Sequence, residues 1–143
     1  MRLQKNLGEQ NEKSMITATL GLAICASAFP VLANNHADSQ WAGMLPNHQG
    51  NIYTPNRDKT DASSAWCALN NSGKGGINAW LQLSNGTEVG SPKTYMKVGQ
   101  GKYIYNYVNE NYHRTMSVRM AIESSYNNPV RIQVNGVWSP DSV

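Results

Sequence analysis

From Ala62 almost to the C-terminus, apolar and polar side chains alternate. Ala65, Cys67 and Leu69 share one side of the chain. Ile77, Ala79, Leu81 and Leu83 form a second apolar row opposite Asn78, Gln82 and Ser84. Met116, Val118, Met120 and Ile122 form a third, opposite Thr115, Ser117, Arg119, Ala121 and Glu123, and Val130, Ile132 and Val134 repeat the scheme. A period of two is that of a half-buried strand. Breaks fall where turn chemistry is dense: the glycine-rich stretch 70–76, the hairpin pair Asn85-Gly86, Pro92, Gly99-Gln100-Gly101 and Asn127-Asn128-Pro129. Residues 94–98 read as a further strand. So do residues 102–109, with Tyr103, Tyr105 and Tyr107 on one side and Ile104 and Val108 on the other. The four-residue spacing of Ile104 and Val108 also fits a helix, but aromatic and β-branched density favours a strand. These elements predict an all-β domain over 62–143, an antiparallel β-sandwich or small barrel of six to seven short strands.

Residues 34–61 are polar, carry Pro46 and Pro55 and keep neither period, so an irregular arm is expected there, with a short strand near Ile52-Tyr53. Upstream the material changes. Arg2, Lys5 and Lys13 precede an uncharged apolar run over 15–33, which ends in Pro30 and Val31-Leu32-Ala33. Basic, apolar, then small is the order of a helical secretory signal peptide, which predicts cleavage between Ala33 and Asn34 and a secreted, extracellular product without a stable membrane span. An uncleaved anchor is one alternative, because a run of that length just reaches across a bilayer. Lipid attachment at Cys25 is another. There Leu22-Ala23-Ile24-Cys25 resembles a bacterial lipoprotein box but places Ile24 where a small residue belongs.

Charge and cysteine content narrow the partners. Removing 1–33 takes away Arg2, Lys5, Lys13, Glu9 and Glu12, which lowers the formal net charge of +3 by one. So weak a bias gives little steering toward nucleic acid. Cys67 then stands alone, so the domain has no disulfide of its own and must rest on a packed core. Cys67 reads as a small buried hydrophobe, with an intermolecular disulfide or a reactive thiol as alternatives.

Little in the sequence suggests catalysis. His36, His48 and His113 lie far apart, and the closest carboxylates, Asp58 and Asp61, sit in a charge-alternating polar loop. A non-enzymatic protein is expected. Tyr103, Tyr105 and Tyr107 form a candidate aromatic platform for sugar rings, joined by Trp80. If the chain begins at Asn34, its amine, the amides of Asn35 and His36 and the His36 imidazole supply four nitrogens suited to adventitious Cu(II) or Ni(II), the one cofactor the sequence suggests.

The ending Val134-Asn135-Gly136-Val137-Trp138-Ser139-Pro140-Asp141-Ser142 resembles that of a family of small secreted proteins from Gram-positive bacteria with no assigned function. The resemblance implies bacterial secretion and an all-β domain, and it carries no catalytic or binding residue. The expected role is that of a secreted, non-catalytic module binding a cell-surface or extracellular ligand, carbohydrate or cell-wall polymer ahead of protein. A bacteriocin-like secreted antibacterial protein is the alternative.

Overall fold

A computed structural model describes residues 35–142. The expected leader 1–33, its cut after Ala33 and Asn34 lie outside the described residues. Nine strands follow in chain order: β1 (Ser39–Leu45), β2 (Ile52–Tyr53), β3 (Arg57–Lys59), β4 (Ala65–Ser72), β5 (Ile77–Leu83), β6 (Thr94–Met96), β7 (Gly101–Ile104), β8 (Met116–Ser124) and β9 (Ile132–Ser139). One short helix, α1 (Val108–Tyr112), separates β7 from β8. The strands form two antiparallel sheets and no closed barrel. One has the order β1-β9-β4-β7; the other runs β2-β8-β5-β6, with β3 also pairing β8. The rows read as apolar face inward and form one core. Ala65, Cys67, Leu69, Ile132, Val134 and Trp138 from the first sheet join Ile77, Ala79, Leu81, Val118, Met120 and Ile122 from the second.

The structure departs from the sequence reading at definite places. The segment 34–61 is not an irregular arm, since it contributes three strands, and β1 pairs with β9 from Ser39↔Trp138 to Leu45↔Ile132. Its inward row is Trp41, Gly43 and Leu45 and its outward row Gln40, Ala42 and Met44, so a glycine inside and a methionine outside hide the alternation. The strand expected over 102–109 stops at Ile104. Asn106 turns the chain there, its Oδ1 accepting from the Val108 amide at 3.2 Å and its Nδ2 donating to the Ile104 carbonyl. A side chain that offers the backbone such local bonds competes with the ladder, and α1 follows. The Asn85-Gly86 hairpin is present as a three-residue loop. Gly86 N–H donates to the Leu83 carbonyl and Leu83 N–H to the Thr87 carbonyl, with φ +91° at Gly86. This is a type I turn closed by a left-handed glycine rather than a two-residue turn. Val130, placed in an apolar row by the sequence, is exposed before β9 begins.

Both ends of the described chain meet in a buried clasp. Lys59 at the end of β3 and Asp141 just past β9 are fully buried and form an ion pair at 2.9 Å. Lys59 Nζ also donates to the carbonyls of Pro140 and Ser63. The second carboxylate oxygen accepts from the Asn35 amide at 2.8 Å, the Thr60 amide at 3.1 Å and the Thr60 hydroxyl at 2.7 Å. Burial pushes the Asp141 carboxyl up, but the Asn35, Thr60 and Lys59 donors outweigh it and hold it down at about 2. Arg57 completes the arrangement, donating to Asn35 Oδ1 and to the Trp138 carbonyl.

Candidate functional site

In the sheet β1-β9-β4-β7, the residues between the core positions face outward. Pairing sets them in rows across the strands: Gln40, Val137, Ala68 and Gly101 in one, Ser139, Trp66 and Tyr103 in the next, Ala42, Asn135 and Asn71 on the other side. Trp66 is the bulkiest member and is half-buried. Its indole lies over Gly101, where a Cβ would come within 2.3 to 3.0 Å of three ring atoms. Tyr103 meets it edge-on, ring centroids 5.0 Å apart at 62°. Glycine at 101 thus sets the tilt of Trp66, and the small Ala68 beside it leaves the surface low.

Two hollows open on this face. The smaller, about 140 Å³, is lined by His36, Asp38, Trp66, Tyr103, Ser139 and Ser142. The larger, about 430 Å³, is lined by Gln40, Trp41, Ala42, Asn70, Asn135 and Gly136. Asn71 Nδ2 donates to Asn135 Oδ1 at 3.1 Å and so orients that side-chain amide. Flat rings, a carboxylate, hydroxyls and side-chain amides together offer stacking with directional hydrogen bonds, the composition of a recognition surface for a polar ligand.

The structure redistributes the residues singled out from sequence. Tyr103 is in the site. Tyr105 and Tyr107 are 69% and 56% exposed but lie beyond the end of β7, so the three tyrosines are not one row. Tyr107 precedes α1 and packs on Gly90. Trp80 does not join the platform. It is on β5 of the other sheet, only 5% exposed, with the Lys93 ammonium 4.6 Å from its ring centroid and Lys93 held in turn by Glu123 at 2.9 Å. Trp66, the ring that does face the site, was missed because it stands inside the Ala65-Cys67-Leu69 strand as an outward residue with no aromatic neighbour in sequence. The signal was its register opposite Tyr103, which only pairing reveals.

Of the candidate metal ligands, Asn35 has its amide committed to Asp141 Oδ2, and His36 lines the smaller hollow. A square-planar ion needs that amide deprotonated and ligated, so a metal at Asn34, Asn35 and His36 has to open the clasp. Among the described residues no cluster of three His, Cys, Asp or Glu side chains is placed to hold a metal ion. Cys67 is fully buried, and burial pushes its thiol up to about 12. A thiolate is therefore scarce at neutral pH. A chain beginning at Asn34 should show no thiol titre with an aromatic disulfide reagent at pH 8 and one thiol per chain in urea; native labelling within minutes would contradict that burial.

Trp41, Trp80 and Trp138 are all buried, which leaves Trp66 as the tryptophan open to solvent. Iodide should quench a minor, red-shifted share of the emission, and Trp66→Phe should abolish that share. Equal quenching in the variant would contradict the assignment.

A family model described as "Protein of unknown function (DUF2712)" matches residues 29–142, and the chain belongs to that family. The expectation of an uncharacterised family is met. No curated protein and no solved structure matches the chain. Among the described residues no helix is long and apolar enough to cross a membrane.

Proposed function

We propose that this DUF2712 protein is an exported, non-catalytic binding module whose β1-β9-β4-β7 face holds an extracellular or cell-surface polymer, carbohydrate or cell-wall material ahead of protein. The observation that carries this reading is the Trp66–Tyr103 pair lining the smaller of two polar hollows on one sheet face. On the β2-β8-β5-β6 sheet, by contrast, several polar side chains are turned on each other. Gln82 holds Arg119 and Glu88, and Glu123 holds Asn78 and Lys93.

Export is supported by the basic, apolar, small-residue order of residues 1–33 and by the likeness of the C-terminal segment to secreted proteins of Gram-positive bacteria. The environment of Cys67 suits an oxidising exterior, because a fully buried thiol takes no part in disulfide exchange. The test is retention on purified, insoluble cell wall. The protein should be retained, and the double variant Trp66→Ala, Tyr103→Ala should lose about tenfold or more in affinity, as removal of a central aromatic anchor does. Equal retention of the two forms contradicts the reading.

A further inference from the structure

Building on that binding reading, we infer that the ligand is an uncharged glycan strand lying along β9, and not one of the anionic polymers that cell walls also carry. The two hollows are strung along β9. Asn135 belongs to one and Ser139 to the other, and four residues of strand separate them by about 13 Å. Such a distance suits a short run of linked rings, with Trp66 and Tyr103 at one end and the Gln40, Asn70 and Asn135 amides at the other.

The chemistry of the lining decides the charge of the occupant. Neither hollow is lined by a lysine or an arginine. Phosphate and carboxylate polymers are recognised through those cations, commonly by bidentate arginine. Arg57, the guanidinium within electrostatic reach of Asp38, is committed to Asn35 Oδ1 and the Trp138 carbonyl. Its donors are thus turned away from the hollow even though its charge reaches Asp38, and an anionic chain would meet the Asp38 carboxylate with no lysine or arginine in the lining to receive it. For an uncharged glycan the same lining is complementary. The Asp38 carboxylate accepts from ring hydroxyls, the amides both donate and accept, and the Trp66 and Tyr103 faces cover the C–H side of a ring. Small Ala68, paired with Val137 between the two ends, keeps the floor low enough for a ring to lie there.

The probe is purified cell wall in two states, intact and stripped of its phosphate polymers by acid. The protein should be retained equally on both, and retention should change by less than about twofold from 50 to 500 mM salt, because no ion pair is involved. Asp38→Asn should weaken retention about fivefold or more through the lost charge-assisted acceptor. Retention that vanishes on stripping, falls steeply with salt, and strengthens in Asp38→Asn overturns the neutral-glycan inference while leaving a binding module. Absence of retention on both walls overturns the binding reading itself.

Discussion

Asp141→Ala should cost about 3–5 kcal/mol of folding stability, because it leaves Lys59 as a buried charge with only carbonyl partners. Domains of this size hold about 5–15 kcal/mol in total, so the variant should sit near the edge of folding at 37 °C. Urea midpoints measure the loss. The double variant Lys59→Met, Asp141→Leu should recover most of it, since an apolar pair needs no desolvation of charge. If Asp141→Ala unfolds at the wild-type midpoint, the clasp contributes nothing and β1 and β9 are held by their ladder alone.

The same group gives the protein an acid limit. Asp141 is held at about 2 in the fold, against about 3.9 for an unperturbed aspartate. A folded-state value below the unfolded one means that the group stabilises the fold fully above the unfolded value and loses that contribution as pH falls through the folded one. About 2–3 kcal/mol should thus disappear between about pH 5 and pH 2. Wild-type midpoints should decline across that window, and Asp141→Ala should lack this part of the slope.

Gly136→Ala should be the second most damaging change. A Cβ there would stand 1.9 Å from the Ala68 carbonyl oxygen and 2.8 Å from the Trp41 ring. The first neighbour is backbone, so relief requires β9 to move away from β4, where the ladder already shifts register between Leu69 and Asn71. The expected cost is about 3 kcal/mol, the upper range for overpacking. Gly73→Ala is the control, because its nearest atoms are 3.8 Å away and its midpoint should hardly move. Equal midpoints for the two variants would contradict the close approach of β4 and β9.

The central strands were legible because their inward rows are unbroken: Ile77, Ala79, Leu81 and Leu83 on β5, and Val118, Met120 and Ile122 on β8, are core residues and face as the alternation predicts. β1 was not legible, because its stability comes from pairing with β9, about a hundred residues away in sequence, and its own pattern is blurred by Gly43 and Met44. The end of β7 was misread because an asparagine side chain competed with the ladder, an effect that propensity does not register. For the site, sequence found the aromatic character but assembled the wrong rings. Trp80 stands opposite the apolar row of its own strand and so reads as a partner of Tyr103, whereas the two lie on different sheets. Trp66, Asn135 and Ser139 come together only through the registers of β4 and β9. The clasp shows the same limit, since Lys59 in a charge-rich loop reads as solvated until Asp141 is brought against it.

The central claim, that the β1-β9-β4-β7 face is where ligand is held, is tested most directly by chemical-shift mapping with soluble fragments of digested cell wall. The account predicts perturbations at the Trp66 indole N–H and at the side-chain amides of Gln40, Asn70 and Asn135, with the Trp80 indole unmoved. Shifts concentrated on Trp80, Asn78 and Gln82, on the other sheet, would contradict it.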